Sequence, residues 1–487
     1  MRLSKVFNLS IAVLLLIPIF FVSCTREVDY NNPYSGSEIK VFEVADMSGK
    51  THIDLINTTI VVPVKPHISL DSITATFVLS DGATATVNGK LQESGITKND
   101  FRDTVKYLVT SGNKQNQTTW KVILVKKEFD DINTTTKNLK GTIEVNRVLS
   151  PTIYTVDENI IIEKNISLEI PPGTKLLIAP KCSIKVKEGG KIIALGTSNL
   201  PITFDLKEDA EGKWEGIHLQ NASAEFTFCI FKNGGYSDAM IKLTNSVIGV
   251  KNSNFLDAQN SGLYLDDNSI FRVFELNTIV NCGENIADAY PIYLQDIKSV
   301  SNIGNTNKIT SNKGIFIAKS NSNSNIKFFG QTCPFIFAND IIFDGHNTSI
   351  VILSGSTFHI PKGKSIKIAE SQNVKFLVQG TEDNPVVFTT KNKTPGDWKG
   401  VFVSENLLLG SAFNYCNIEY AGAHENEKLT GAITCKGTKI DNLTINNCKI
   451  TSPTSHGLYF FKDSDATLID NKFENIPPEN SNIFYEQ

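Results

Sequence analysis

The sequence predicts an all-β chain in which a small β-sandwich precedes a long β-solenoid. Three observations lead to this prediction: short runs of Ile, Val and Phe alternate with polar residues, Gly-containing turn signals separate the runs, and blocks of the chain repeat. Hydrophobic residues make up 40% and charged residues 20% of the 487 positions, a composition typical of folded domains. The net charge of −4 argues against a nucleic-acid-binding protein, which would carry a basic surface.

Residues 1–23 have the features of a secretory signal peptide. The basic start MRLSK precedes a mostly apolar run from Val6 to Val22, and Ser23 and Cys24 follow it. A cysteine directly after such a run resembles a bacterial lipoprotein cleavage site, which implies that Cys24 is lipidated and begins the mature chain. The alternative is an ordinary secretory signal that happens to precede a cysteine. Because the apolar run is short for a membrane-spanning helix, we expect the lipid to hold the protein on the membrane.

A tether and a small domain follow the anchor. Residues 24–37 are polar, and we interpret them as the tether. Residues 38–126 contain strand-like runs such as IKVFEV and TTWKVILV, separated by Asp-Gly, Asn-Gly and Ser-Gly turn signals, which indicates an immunoglobulin-like β-sandwich. Trp120 alternates with Val122 and Leu124, so we expect its ring in the core rather than on a sugar-binding surface.

The remainder of the chain repeats itself, after a linker and cap at residues 127–149. Shorter motifs such as Asn-Ser-Asn-Phe and Asn-Cys-Lys-Ile recur about every 24 residues, a period typical of the stacked coils of a β-solenoid. On a longer scale, residues 150–487 form two related halves, about 150–333 and 334–487. Four blocks recur in the same order: IPPGTKLLIAP with IPKGKSIKIAE, GTSNLPITF with GTEDNPVVF, GKWEG with GDWKG, and FTFCIFKNGG with FNYCNIEYAG.

These blocks resemble the right-handed parallel β-helix of pectin-lyase-like proteins. The stretch SDGATATVNGK in the first domain resembles a module found behind the anchors of many bacterial surface lipoproteins. Together they make the chain similar to lipoproteins of glycan-foraging Gram-negative bacteria, in which an immunoglobulin-like module precedes such a helix. The resemblance covers residues 150–487 well and residues 38–126 loosely. It implies a location in the cell envelope, on the outer membrane and facing outwards, but proteins of this wider fold include lyases, hydrolases and adhesins.

The sequence offers no catalytic motif, so we predict no catalytic residues. A lyase of this fold needs a base, and Arg272 is the one arginine of residues 150–487. A polygalacturonase-type hydrolase needs clustered aspartates and a His-Gly pair, for which Asp266-Asp267 and His456-Gly457 are the only similar residues. They are about eight coils apart, so we expect them in different places, with His456 in a turn. A lysine base with an aspartate that becomes its neighbour only on folding is left open.

Aromatic residues outside the repeated blocks are the candidates for carbohydrate binding. Trp214 and Trp398 occupy the same slot in two copies, so we interpret them as core residues. Asp463 and Asp465 are the one calcium candidate, which we interpret as a solvated turn, and we predict no cofactor or metal site. The densest aromatic group consists of Tyr236, Tyr264, Tyr290 and Tyr293.

The cysteines other than Cys24 are spread among Ile and Phe without zinc-ligand spacing, and we interpret them as small buried hydrophobes. Cys416 and Cys448 lie in matching Asn-x-Cys-x-Ile frames. We expect their side chains to stack inward in neighbouring coils, as reduced thiols or as one disulfide.

The sequence therefore predicts a lipid-anchored, non-catalytic cell-envelope protein that presents a β-helix to a carbohydrate or another surface ligand. The expected partners are the membrane, through the lipid, and a polysaccharide, but not nucleic acid; the oligomeric state is not predicted. The alternative function is a polysaccharide lyase or glycoside hydrolase of the same fold. The sequence does not distinguish a ligand-binding protein from a purely structural surface stalk.

Overall fold

The structure, a computed structural model, describes residues 34–129, 136–422 and 430–487. The chain divides into two compact units between Val125 and Lys126. Strands provide almost all regular structure in both units, which confirms the predicted all-β class; among the described residues the one helix is a 3-10 turn at Ile297–Asn302. None of the described helical structure is long and apolar enough to cross a membrane.

The first unit is a β-sandwich with antiparallel strand pairs. Its strands are β1 (Ile39–Val44), β2 (His52–Asp54), β3 (Thr59–Val64), β4 (Ile73–Leu79), β5 (Thr84–Val87), β6 (Lys90–Leu91), β7 (Lys98–Asn99), β8 (Val105–Thr110) and the first part of β9 (Gln117–Phe129). One sheet has the order β1-β4-β7, and the other contains β6-β5-β8-β9 with β3 and β2 beside β9. Trp120 is in the core, as expected, at 1% exposure, and its Nε1 donates to the Ser37 carbonyl at 3.1 Å.

The second unit is a right-handed parallel β-helix of five sheets, here named S1 to S5, in which successive strands of a sheet come from successive coils. Sheet S1 contains β10 (Thr136–Asn138), β13 (Ile153–Val156), β16 (Lys175–Ile178), β19 (Ile202–Leu206), β22 (Cys229–Lys232), β25 (Asn254–Leu256), β28 (Thr278–Val280) and β30 (Lys308–Thr310). Sheet S3 contains the last residues of β9 (127–129) and β12 (Asn146–Val148), β15 (Ser167–Ile170), β18 (Lys191–Leu195), β21 (Ser223–Thr227), β24 (Val247–Lys251) and β27 (Ile270–Glu275).

Sheet S2 is the longest, with fourteen described strands, in agreement with the roughly 14 coils that a 24-residue period implies. These are β11 (Gly141–Ile143), β14 (Ile160–Ile162), β17 (Ser183–Val186), β20 (Gly216–Gln220), β23 (Ala239–Thr244), β26 (Ser261–Leu265), β29 (Ile292–Asp296), β31 (Ile315–Lys319), β34 (Phe335–Phe337), β37 (Thr357–His359), β40 (Val386–Thr389), β43 (Cys416–Glu419), β46 (Lys449–Thr451) and β49 (Lys472–Glu474).

Sheets S4 and S5 complete the second half of the helix. Sheet S4 contains β32 (Asn321–Ser322), β35 (Ile341–Phe343), β38 (Ser365–Ile368), β41 (Gly400–Val403), β44 (Gly431–Cys435), β47 (His456–Phe460) and β50 (Ile483–Tyr485). Sheet S5 contains β33 (Ile326–Phe328), β36 (Thr348–Leu353), β39 (Val374–Gln379), β42 (Ser411–Asn414), β45 (Leu443–Asn446) and β48 (Thr467–Ile469).

Stacked apolar side chains fill the interior of the helix. Because alternate residues of a strand point to opposite faces, every second Ile, Val or Phe is buried and meets its equivalent in the next coil. The rings of Phe204, Phe231 and Phe255 stack in three successive coils with centroids 4.9 Å apart at each step. This spacing equals the distance between hydrogen-bonded strands, so backbone pairing and core packing reinforce one another.

Asparagine shapes the corners between strands. The corner from S1 to S2 is turned in three successive coils by Asn233, Asp257 and Asn281, with φ of 57°, 58° and 54°. Asn and Asp tolerate this left-handed conformation better than other side chains, which accounts for part of the high asparagine content. Before the S1 strands, asparagine side chains bind the backbone of the preceding coil: the backbone N–H of Ser253 donates to Asn277 Oδ1, and that of Asn277 to Asn307 Oδ1, each at 3.0 Å.

The sheets are exchanged between the two halves. Sheet S1 ends at β30 and S3 at β27, S4 begins at β32 and S5 at β33, and S2 runs through both halves. The 3-10 turn at Ile297–Asn302 contacts both β27 and β33, and so fills the position of a strand between S3 and S5. As a consequence, GKWEG precedes a strand of S2, whereas its equivalent GDWKG precedes a strand of S4.

The tryptophan slots confirm that the two halves are related. Trp214 and Trp398 are both fully buried. Their Nε1 atoms donate to the carbonyls of Lys232 at 2.7 Å and Glu419 at 2.8 Å, the last residues of the equivalent strands β22 and β43. The two rings therefore occupy the same local site, although they lie beside different sheets.

One of the four sequence matches is wrong in register. IPPGTKLLIAP leads into β16, three strands before β19, whereas IPKGKSIKIAE leads into β38, only two strands before β40. The equivalent of β38 is β17: the hydroxyls of Ser183 and Ser365 donate to Asn159 Oδ1 at 2.9 Å and Asp340 Oδ1 at 3.0 Å. The Ile-Pro-x-Gly motif thus reflects a turn that recurs at different corners, because its requirements are local.

Candidate functional site

One outward-facing row on sheet S2 brings ionisable and aromatic side chains of successive coils together. Neighbouring coils are in register, so each member lies about 4.8 Å from the next along the helix axis. Along the chain, the first three residues of the row are ionisable and the last three are aromatic. In order, the row consists of Lys185, His218, Lys242, Tyr264, Tyr293 and Phe316.

The aromatic cluster on this sheet consists of Tyr264, Tyr290, Tyr293 and Phe316. Tyr264 stacks on Tyr293 with centroids 4.8 Å apart, Tyr293 lies 4.9 Å from Phe316, and Tyr290 stacks on Phe316 at 4.4 Å. All four rings are half-buried. Partial burial raises the pKa of Tyr264, Tyr290 and Tyr293, so their hydroxyls stay protonated at neutral pH and can donate hydrogen bonds.

Three of the four candidate tyrosines therefore meet, and the fourth lies elsewhere. Tyr236 is 36% exposed, and its ring contacts the Lys181 ammonium, 5.2 Å from the centroid. Its backbone N–H donates to the Trp214 carbonyl at 3.2 Å, which places it at a corner before β23. Sequence reasoning missed Phe316, although it stands one coil after Tyr293 and at an alternating position of IFIAK, the signal that would have identified it.

Lys313 holds the loop that presents Tyr290. Its ammonium donates to the carbonyls of Gly283 at 2.8 Å and Ala289 at 2.7 Å, and also to those of Ile286 and Ala287. The same ammonium lies 5.3 Å from the centre of the Tyr290 ring. Since four carbonyls of one loop converge on this cation, Lys313 fixes the position of Tyr290 in the aromatic cluster.

A group of ionisable side chains lies beside the aromatic cluster. Lys242 pairs with Asp238 at 2.7 Å, and its ammonium lies 5.6 Å from the centre of the Tyr264 ring. One coil away, His218 Nε2 is 4.0 Å from Glu215, too far for a hydrogen bond, and this buried nitrogen has no hydrogen-bond partner among the described residues. Burial lowers the pKa of His218 despite the nearby carboxylate, so its imidazole is neutral at neutral pH.

Lys242 with Asp238 is the kind of arrangement that the sequence left open, a lysine whose aspartate becomes its neighbour on folding, whereas the histidine with its glutamate was not predicted. Lys242 and His218 are about one coil apart in the chain and both are outward members of their strands. That spacing in the sequence could have identified the two residues as neighbours on one face. Asp238 is four residues before Lys242 in the same coil, so their pairing depends on the turn that leads into β23.

The residues that resemble lyase or hydrolase motifs take structural roles. Asp266 accepts from the Asn245 backbone and from the Ser269 hydroxyl at 2.6 Å, and Asp267 pairs with Lys319 at 2.7 Å. Arg272 pairs with Glu225, two strands away in S3. The Gly249 backbone lies between this pair, where an added Cβ would meet the Glu225 carboxylate at 2.5 Å.

His456 is not a turn residue, in contrast to the expectation. It lies in β47, is 5% exposed and stacks on Phe484 with centroids 4.5 Å apart. Its Nδ1 accepts from the Ser481 backbone N–H at 2.9 Å. The burial of His-Gly-Leu-Tyr-Phe on both faces is typical of a continuous strand rather than a turn.

The calcium candidates Asp463 and Asp465 lie in a turn. Asp463 adopts a φ of 61°, and Asp465 Oδ1 accepts from the Ala466 backbone at 2.8 Å, as in a turn. The described residues contain no group of three or more His, Cys, Asp and Glu side chains placed to hold a metal ion. Cys24, with the predicted signal peptide and most of the tether, lies outside the described residues.

Two families of known domains match parts of this chain. Residues 39–123 match the N-terminal domain of the surface glycan-binding proteins, described as SGBP, N-terminal. Residues 141–227 match the pectate-lyase-like β-helix domain. The two matches fall in the sandwich and in the first half of the helix.

Solved structures also match, whereas no curated protein does. A candidate glycoside hydrolase from Bacteroides thetaiotaomicron is 24% identical over 20% of this chain and 27% of its own length, with a TM-score of 0.17. The chain thus spans about a quarter of that protein. The A-module of the mannuronan C-5 epimerase AlgE4 from Azotobacter vinelandii is 14% identical over 71% of this chain and 89% of its own, with a TM-score of 0.26.

Proposed function

We propose that this chain, with its SGBP-type domain and pectate-lyase-like β-helix, is a lipid-anchored cell-envelope protein that binds carbohydrate without cleaving it. The observation that carries the proposal is the aromatic cluster on the outer face of S2. In it Tyr264, Tyr293 and Phe316 follow one another in successive coils, half-exposed, beside Tyr290. Aromatic rings with neutral hydroxyls suit sugars, which offer both apolar C–H faces and hydrogen-bonding hydroxyls.

The setting of the cluster supports the same function. The fold does not require aromatic residues on the solvent face of a sheet, since a β-helix buries only its inward positions. A row of rings along the axis of a long helix can follow a linear polymer over several residues. The match of residues 39–123 to a domain of surface glycan-binding proteins supports a glycan ligand and a cell-surface location. The lipobox-like residues before Cys24 support attachment of the mature chain to the outer membrane.

Retention in gels that contain polysaccharide tests this function. The protein should be retarded by at least one member of a panel of soluble plant, algal and microbial polysaccharides. Replacing Tyr293 and Phe316 together by Ala should abolish the retardation. The matched control is Phe402→Ala, which removes a half-buried outward ring from S4. A wild-type protein that no polysaccharide retards, or a double variant that is retarded normally, would contradict the proposal.

Acid–base catalysis on a bound glycan is the second candidate function, and one observation favours it. Lys242 with Asp238, and the neutral His218 near Glu215, place proton donors and acceptors within two coils of Tyr264. A lyase or hydrolase would release unsaturated uronic products or new reducing ends from a polysaccharide. Non-catalytic binding predicts neither product, and product formation that is lost in both Lys242→Ala and His218→Ala would establish the enzyme instead.

A further inference from the structure

A cleft of about 210 Å³ lies at the end of the aromatic cluster. The outward row of S2 continues from Phe316 to Ile336 and His359, and these two residues line the cleft. Tyr290 forms an aromatic wall, and its ring is the one that stacks on Phe316. A glycan that follows the cluster along the helix axis would therefore reach this cleft directly.

The cleft is lined by cations without a carboxylate among its lining residues. Lys313 and Lys391 both contribute to the lining, and Lys391 is exposed with no ion-pair partner among the described residues. Burial lowers the pKa of His359, and the positive charges of Lys391 and Lys393 lower it further. The whole chain has a net charge of −4, so the positive charge at the cleft is a local feature of this surface.

Two acidic residues lie near the cleft, on the side of Lys313. Glu284 is engaged by the Ser311 hydroxyl and by the Asn312 backbone N–H at 3.2 Å. The negative charge of Asp288 acts on Lys313 and on the hydroxyls of Tyr290 and Tyr293. Since Lys313 is already bound to four carbonyls, Lys391 is the cation that is available to a ligand.

We propose that this cleft binds the acidic group of a sugar residue, so that the glycan recognised by the aromatic cluster is an anionic polysaccharide. The inference rests on the proposed glycan-binding function and specifies its ligand class. Tyr290, Ile336 and Pro334 offer an apolar surface to the sugar ring, while Lys391 forms an ion pair with its carboxylate or sulfate. Lys313 adds a fixed positive charge, and the neutral His359 can donate a hydrogen bond without adding to the charge.

Matched pairs of polymers distinguish the two sources of negative charge. Polygalacturonate against its methyl ester tests for a carboxylate, and dextran sulfate against dextran tests for a sulfate. The full chain should be retarded more by one acidic member than by its neutral partner, and salt should reduce the difference. Lys391→Gln should weaken the acidic interaction about threefold, the scale of one exposed ion pair, and leave retention by a neutral polymer unchanged.

The control is Lys175→Gln, which removes an exposed lysine from S1, away from the cleft. If both lysine variants lose affinity equally, the attraction is general and the assignment of the cleft is overturned. Equal retention by the acidic and neutral members of both pairs also overturns it, while the glycan-binding function stands on the neutral polymers. A wild-type protein that no polymer retards contradicts the glycan-binding function itself and, with it, this inference.

Discussion

The thiol of Cys416 lies 3.1 Å from that of Cys448 in the next coil, with both side chains buried. Pairing of Asn417 with Lys449 and of Ile418 with Ile450 sets this register. The matching Asn-x-Cys-x-Ile frames predicted this inward stack, and the structure confirms it. Burial raises the pKa of Cys416 well above its ordinary value, and the hydrogen bond that its thiol donates lowers the pKa of Cys448, so Cys448 is the sulfur that reacts more readily.

A mild disulfide oxidant should join Cys416 and Cys448 in the folded protein. The two sulfurs need to approach by only about 1 Å to reach bonding distance, with two electrons and two protons passing to the oxidant. The closed loop should stabilise the helix by about 3 kcal/mol. Peptide mapping and the thermal unfolding midpoint check this, with Cys282, a buried cysteine outside the pair, as the thiol that stays reduced. Selective oxidation of other cysteines would contradict the prediction.

The two tryptophan slots should contribute equally to stability. Trp214→Ala and Trp398→Ala each leave a large cavity in a fully buried site, and each should cost about 3–5 kcal/mol. Replacement by Phe keeps most of the volume but leaves a carbonyl without its indole donor, at a cost of about 1 kcal/mol. Urea unfolding of the four variants measures both effects. A tolerated alanine in one slot alone would show that the two sites are not equivalent in packing.

Lys313→Met should loosen the loop that carries Tyr290. The substitution keeps the aliphatic stem but leaves four loop carbonyls without their cation, for an expected loss of about 2 kcal/mol. Thermal unfolding and polysaccharide retention should both fall, because Tyr290 leaves the aromatic cluster. Lys308→Met, an exposed change in the adjacent S1 strand, is the control. Equal stability of the two variants would argue that the carbonyl cage does not hold the loop.

Mild acid should destabilise the β-helix through its buried histidines. Burial lowers the pKa of His218, His359 and His456 below the ordinary value of 6.5. Their contribution is therefore complete above pH 6.5 and is lost as the pH falls towards their folded pKa values, because the unfolded chain takes up protons first. Unfolding temperatures at about pH 7.5 and about pH 5.5 measure the loss, in a range where carboxylates stay ionised.

Replacing all three histidines by Gln should flatten this pH dependence. The exposed His67 of the first unit, changed in the same way, should leave it as in the wild type. If the triple variant and the wild type lose stability in parallel, other groups cause the acid sensitivity.

Cys24→Ser should release the protein from the membrane into the soluble export fraction. The prediction follows from the basic start, the apolar run and the Ser23-Cys24 junction. Fractionation of cells that produce either form measures it, and labelling with a fatty-acid analogue should be lost in the variant. A Cys24→Ser protein that stays entirely with the membrane would show that another part of the chain anchors it.

The sequence was informative wherever a requirement is local. Alternation placed Trp120 and the Cys416–Cys448 pair in the core, and turn residues marked the corners, because each depends on a few neighbouring residues. Sites formed between coils were harder to predict, since a loop of variable length decides which outward residues become neighbours. Tyr264 and Tyr293 are neighbours, as their grouping implied, whereas Tyr236, which was grouped with them by closeness in sequence, lies at a corner beside Lys181.

The exchange of sheets between the halves has a geometric consequence for surface features. Each coil has three strand positions, one on each side of the helix. Two copies of a residue face the same side only if the number of strand positions between them is a multiple of three. The 3-10 turn at Ile297–Asn302 adds one such step, which turns the equivalent of every S2 strand onto S4. The burial of inward residues such as Trp398 is not affected by this rotation, because the strands on all sides of the helix pack into the same core. Outward residues do change the side of the helix that they face. A duplication that preserves the core can therefore place the copied surface residues on a different side of the helix.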